Sequence, residues 1–157
     1  PVEMSRTLIG DRGTDSELLR NHKALLFSAT RKLLAFPVTV MEVRDDGYAR
    51  PGSVFPAYGS FAYQGVYVYR IDLSSGLQYR GRITHLTPEA YLKAGDVWYD
   101  NNLNIKRALY IGDILYTLSD AQVRAHRLED LTEVKTLQLP AQQPTYPQVE
   151  PLLEVAR

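Results

Sequence analysis

A four-stroke pattern that occurs twice constrains this chain more than any other feature. Residues 106–139, KRALYIGDILYTLSDAQVRAHRLEDLTEVKTLQL, hold apolar runs near 106–111, 113–118, 121–128 and 132–139, parted by turn signals at Gly112-Asp113, Ser119-Asp120 and Glu129-Asp130. Runs of that length between Gly/Asp/Ser turns predict four short antiparallel strands. An earlier stretch repeats the stroke: KALLF (23–27), LLAFPVTV (33–40), SFAYQGVYVYRIDL (60–73) and LQYRGRITH (77–85). Lys23-Ala24-Leu25-Leu26-Phe27 matches Arg107-Ala108-Leu109-Tyr110-Ile111, Leu33-Leu34 matches Ile114-Leu115, and Tyr69-Arg70-Ile71-Asp72 matches His126-Arg127-Leu128-Glu129. The first copy is swollen by a Pro- and Gly-rich excursion at 41–58.

Two copies of one small meander imply sheets that lean on each other. Val66 and Val68 point to one face, and Tyr67, Tyr69, Ile71 and Leu73 to the other; Leu109 and Ile111 oppose Ala108 and Tyr110. A sheet with one wet face would alternate apolar with polar, whereas here both faces ask for cover. Repeated sheets covered on both sides are the mark of β-propeller blades. The fold class expected is therefore all-β, part of a β-propeller: about two four-stranded antiparallel blades and one short helix. The alternative is a single sandwich or open barrel of about eight strands. Residues 1–139 form the partial propeller, with blade one about 23–85 and blade two about 106–139; 140–157 is a Pro/Gln-rich tail. Phe27, Leu34, Val68, Ile71, Leu109 and Leu115 are the expected core. Thr87, Pro88 and Gly95 signal a helix over 87–94, and Thr14-x-x-Glu17 a capped turn running from Asp15 to about Asn21.

Composition narrows the classes. Eighteen Lys+Arg balance eighteen Asp+Glu, so no net field draws a nucleic acid or an acidic membrane. Without cysteine there is neither a disulfide framework nor a thiolate metal site. No apolar run nears the roughly 20 residues that span a bilayer, so membrane insertion by this segment is not expected. PVEMSRTLIG at the start, with neither a start Met nor an apolar signal core, reads as the edge of something longer.

GDRGTDSELLRNHKALLFSATRKLLAFPVTV, GVYVYRIDLSSGLQYRGRITH and IKRALYIGDILYTLSDAQVRAHRLEDLTEV together resemble the C-terminal β-propeller domain of a family of secreted prokaryotic proteins. The similarity covers most of 8–139 and departs at the 41–58 loop and after Leu139. The resemblance implies an exported or envelope-attached parent, extracellular in location, whose remaining blades are the partners of this segment. It implies no assigned activity.

No catalytic motif is evident. Asp15, Ser16, Glu17 and His22 crowd together, but no G-x-S-x-G elbow accompanies Ser16, and the capping box explains Thr14 and Glu17. His22, His85 and His126 lack the close spacing of a zinc motif. Asp100, Asn102 and Asn104 place oxygens at alternate positions, as a calcium loop opens, but Ile105 and Ile111 stand where its Gly and Glu belong. The cofactor expectation is none, or at most a weakly held Ca²⁺ there; Asp11, Asp15 and Glu17 are an equivalent candidate set for a hard cation. Tyr91, Trp98 and Tyr99 form the one aromatic group in an irregular segment, suited to stack a glycan or peptide, with His22 as a further ligand residue; the competing role is a plug between blades. Arg44, Asp45, Asp46 and Arg50, with the aromatics Tyr48, Phe55 and Tyr58, decorate the long loop as an interaction surface or blade cover. The function expected is a non-enzymatic binding or scaffold module, the alternative a hydrolase-type enzyme whose site on the ring axis is shared with other blades. Because two isolated blades leave apolar faces bare, a homo-oligomer is expected.

Overall fold

Gly112, at φ 58°, reverses the chain in two residues between β5 (Arg107–Ile111) and β6 (Ile114–Leu118). Only a residue without a Cβ adopts that backbone cheaply, and such a turn carries the right-handed twist of the strands it joins. β7 (Gln122–Arg127) and β8 (Glu133–Gln138) complete an antiparallel meander ordered β5-β6-β7-β8. The earlier copy forms the same sheet from β1 (Leu26–Ser28), β2 (Leu33–Glu42), β3 (Ser60–Asp72) and β4 (Gly76–Ile83), ordered β1-β2-β3-β4. These elements belong to a computed structural model that describes residues 2–43, 57–94, 98–99 and 101–140. Most of the 41–58 excursion, Gly95, Asp100 and the tail from 141 onward lie outside the described residues.

Register bears out the repeat. Leu33 pairs with Arg70 and Leu34 with Tyr69, as Ile114 pairs with Arg127 and Leu115 with His126. The first strand departs from the expected match. Ser28 lies opposite Leu33 as Ile111 lies opposite Ile114, so Ser28 rather than Phe27 is the counterpart of Ile111. The turn before β2 is longer, spanning Ala29 to Lys32, and shifts the alignment by one residue. Residues 23–25 are not strand either. His22–Ala24 is a 3₁₀ turn, held where the Asn21 side chain accepts from the Lys23 amide at 3.1 Å.

The sheets pack face to face. Leu33, Ala35, Val66, Val68 and Ile83 of the first meet Ile105, Ala108, Leu115 and Leu128 of the second region in one buried cluster. No strand passes between sheets, and both outward faces are apolar, which distinguishes blades from a sandwich with a wet exterior. Val68 and Leu115 occupy the core as expected, but Phe27 is 56% exposed and Leu109 39%. Both sit on outward faces, with Leu34 and Ile71 only half-buried. Alternation identified apolar positions without showing which face has a neighbour.

Beyond β1, the free edge of β2 is continued by the N-terminal segment. The Asp11 amide donates to the Met41 carbonyl at 2.7 Å, and Asp15 and Thr39 exchange backbone bonds at 3.0 and 2.8 Å. The turn that follows, Glu17–Leu19, is capped by Ser16, whose Oγ accepts from the Leu18 amide at 3.2 Å. Thr14, expected to be the cap, instead bonds to both backbone groups of Met41. The short helix α1 (Pro88–Ala94) is capped as expected, the Ala90 amide donating to Thr87 Oγ1 at 3.2 Å.

Candidate functional site

At the end of the sheets where the 84–106 connection and residues 15–20 gather, the aromatic group expected at Tyr91, Trp98 and Tyr99 is split by Phe61. Its ring stacks on Tyr91 at 5.6 Å and on Trp98 at 5.8 Å with planes 4° apart; Tyr99 stands edge-on to Trp98. Trp98 is half-buried and Tyr99 is 67% exposed. The row is plug at one end and open ring at the other.

A cavity lies on each side of the row. On the Trp98 side, a cleft of about 240 Å³ is walled by Tyr99, Asn104, Lys106, Glu17 and the Asp15–Arg20 pair. Arg20 grips Asp15 with both terminal nitrogens, at 3.1 and 2.5 Å, and that hydrogen bonding holds the Asp15 carboxyl below its usual range. Gln64 forms the cleft floor. Its amide donates to the Ile105 carbonyl and accepts from the Ile105 amide, each at 2.9 Å, clamping the second blade's lead-in to the first blade.

On the Tyr91 side, Ala62, Tyr63, Arg82, Thr84 and Tyr91 line a cavity of about 430 Å³. The hydroxyls of Tyr63 and Tyr91 are both buried and neither has a hydrogen-bond partner among the described residues. Burial drives the Tyr63 hydroxyl pKa strongly upward, so it stays a neutral donor. Arg82 lies over the Tyr63 ring, 4.3 Å from its centroid, with its Nη1 3.5 Å from the Tyr67 hydroxyl. Two tyrosines and a guanidinium line one cavity and give it aromatic walls and a fixed cationic donor.

The other expected residues scatter. His22 is exposed on its 3₁₀ turn and lines neither cavity. Ser16 is committed to the backbone, its Oγ donating to the Pro37 carbonyl at 2.5 Å. Asn104 turns its amide nitrogen to the Trp98 carbonyl at 2.7 Å, leaving its buried Oδ1 unpartnered, while the Asn102 carbonyl accepts from the Ala121 amide. Asp100 lies outside the described residues, and among the described residues no three His, Asp or Glu side chains gather as a metal set. His85 is fully buried with its ring nitrogens 3.0 Å from Ser119 Oγ and 2.8 Å from Thr117 Oγ1, a side-chain lock between blades.

The profile of the beta propeller domain family matches residues 1–131. The chain belongs to that family. No curated protein and no solved structure matches it. In a propeller, His85 and Gln64 are inter-blade fasteners, and the two cavities lie at the blade end where long connections collect. Sequence reasoning missed Tyr63, Phe61 and Arg82 as site residues. The one available signal was a polar Gln64 inside the otherwise apolar AYQGVYVY, which marks a buried polar task.

Proposed function

We propose that this propeller segment is a non-enzymatic binding module that takes a hydroxyl-rich ligand, a glycan chain, along the aromatic row at its loop end. One observation carries the reading: Tyr63, Tyr91 and Arg82 line one cavity beside stacked aromatic rings, and the buried hydroxyls of the two tyrosines have no partner among the described residues. Buried polar groups are nearly always bonded, so two at one cavity call for a partner that supplies hydrogen bonds. Aromatic faces and a few fixed donors are what a sugar ring needs. The setting proposed is the cell surface or envelope, with the segment carried among the other blades of an exported parent, and Ca²⁺ near Asn102 and Asn104 is a second ligand to screen.

Trp98 is the only tryptophan and so reports directly on the row. Titration with a panel of oligosaccharides and short peptides, followed by Trp98 emission and melting temperature, should give a saturable change with a glycan. Tyr63→Phe removes a hydroxyl that has no partner, so the unliganded fold should be as stable or more so. The same variant should weaken binding about 3–10-fold, the worth of one hydrogen bond. A panel in which no glycan moves either signal overturns the reading, and a peptide hit alone overturns the glycan assignment. Fractionation of the native host that finds the parent in the cytoplasm would remove the envelope setting.

A further inference from the structure

At the end of the blades opposite the aromatic row, where β2 begins at Leu33, a cavity of about 550 Å³ lies between the two sheets. That is within the range of small-molecule pockets. Leu33, 1% exposed, and Leu128, 7% exposed, give it an apolar floor. Around the floor stand three arginines, Arg31, Arg80 and Arg127, against two carboxylates, Asp113 and Glu129. Acidic and basic residues balance over the whole chain, so this local surplus of positive charge is a matter of placement.

Two of these guanidiniums cross from the first blade to the second. Arg80, on β4, donates through Nη2 to the carbonyl oxygens of Leu128 and Glu129, the latter at 2.8 Å. Carbonyl oxygens satisfy hydrogens without cancelling charge, and these bonds use one of the three guanidinium nitrogens. Arg31, on the turn between β1 and β2, reaches Asp113 with Nη1 at 2.8 Å and lies 5.1 Å from the centre of the Tyr110 ring. The Asp113 side chain is 89% exposed. An ion pair so open to water contributes little and exchanges readily for another oxyanion. Fastening the blades would require no room beside the fasteners. A cavity with an apolar floor does suit an anionic ligand, because low polarity strengthens each charge contact and guanidinium forks match paired oxygens.

We propose that this inter-blade cavity is a second binding site, for a small molecule ending in an oxyanion, a carboxylate or a phosphate, held by Arg80 and Arg31 with its body against Leu33 and Leu128. The ligand takes the place of Asp113 on Arg31 and bridges the two blades that both arginines already tie. Its binding to the folded pair alone raises stability. The cavity shares no lining residue with the two beside the aromatic row, so the proposal stands apart from glycan binding there.

Calorimetric titration and thermal melts of the whole chain test this at fixed ionic strength. The probes are glucuronate, glucose 6-phosphate and inorganic phosphate, with glucose and chloride as controls. Glucuronate or glucose 6-phosphate should bind saturably and raise the melting temperature, the tighter of the two naming the head group. Trp98 emission, at the other end of the blades, should not move. Arg31→Gln removes an exposed ion pair, so it should melt at about the wild-type temperature yet bind about 10-fold more weakly. Asp113→Asn suits the two-residue turn after Gly112 and removes the resident competitor, so it should bind about 2–5-fold more tightly. A purely structural tie would give no such gain. The proposal is overturned if neither sugar derivative binds, or if glucose binds as well as they do. It is equally overturned if inorganic phosphate matches them, as an adventitious ion would. Unchanged affinity in Arg31→Gln, or weakened affinity in Asp113→Asn, also sinks it.

Discussion

Acidification should unlock the two blades from each other through His85. The imidazole is fully buried at the end of the first sheet, bridging to the Thr117 and Ser119 hydroxyls of the second. As a neutral ring with one donor and one acceptor nitrogen, it matches two hydroxyls, which both give and accept. A second proton would put a charge in a dry site beside Arg124, whose guanidinium sits 3.4 Å from the carbonyls of Thr84 and His85. Desolvation first, then Arg124 and His126, lower the His85 pKa from 6.5 to about 3. Between those values the unfolded chain holds a proton that the fold refuses, so stability is full above pH 6.5 and declines as pH falls toward 3. The slope is at most about 1.4 kcal/mol per pH unit, or about 2–3 kcal/mol between pH 6.5 and 4.5. A domain has only about 5–15 kcal/mol in hand, so the melting temperature should drop by about 10 °C across that window. Asp15, Asp72, Asp130 and Glu89 are held below their ordinary values of 3.8 to 4.5, mainly by hydrogen bonds, so their stabilising contribution is lost at lower pH still. His126, also lowered by burial, adds to the same window. Thermal melts from pH 8 to 4.5, with proton NMR of the imidazole resonances, check this. His85→Gln retains a donor and an acceptor and should flatten much of the slope. A melting temperature constant from pH 7 to 5, or a His85 resonance titrating near 6.5 in the folded chain, would refute the reasoning.

Four further outcomes follow from the packing. Leu115→Ala, at a position 0% exposed within the inter-sheet cluster, should cost about 2–5 kcal/mol in chemical denaturation. Leu109→Ala, 39% exposed, should cost clearly less; equal costs would mean that the faces are assigned wrongly. Gln64→Leu leaves both backbone groups of Ile105 buried and unpaired, and should cost about 2–5 kcal/mol in the same assay. Gly65→Ala should fail to fold or lose more than about 3 kcal/mol, because its Cβ would fall 2.1 Å from the Ile83 carbonyl oxygen.

Strand order was legible because it is written locally. Alternation in VYVYRIDL and ALYIGDILYTL, with Gly-Asp and Ser-Ser-Gly turns between, fixes which residues pair before any long-range contact is known. What alternation does not encode is which neighbour arrives. Phe27 and Leu33 read alike in sequence, yet one is 56% exposed and the other 1%. Among the described residues, a sheet stands in front of the first blade and none behind it. The same blindness shifted the β1 alignment, since the length of the turn from Ala29 to Lys32 is set by the reach between strands rather than by any apolar pattern.

The site was harder to read for a reason that its geometry makes plain. Its parts come from four places in the chain: Phe61 and Tyr63 on β3, Arg82 on β4, Tyr91 on α1, and Trp98 and Tyr99 beyond it. Tyr91, Trp98 and Tyr99 stood out because they share an irregular segment, where aromatic rings are not needed to build a strand. Tyr63 and Arg82 were hidden by being good strand residues, their task evident only from what surrounds them. A phenol in an ordinary blade turns its hydroxyl to water. Tyr63 is 5% exposed, its hydroxyl unpaired and its ring face occupied by Arg82, so position in the pattern cannot separate it from Tyr67, a structural neighbour in the same row. The distinction is physical: an unsatisfied buried donor costs about 1–3 kcal/mol, and a fold keeps that cost only where something else uses the group. Tyr63→Phe therefore carries the decisive sign. A gain in stability with unchanged glycan binding would make the hydroxyl an accident of packing; a gain in stability with lost binding would make it the reason the cavity exists.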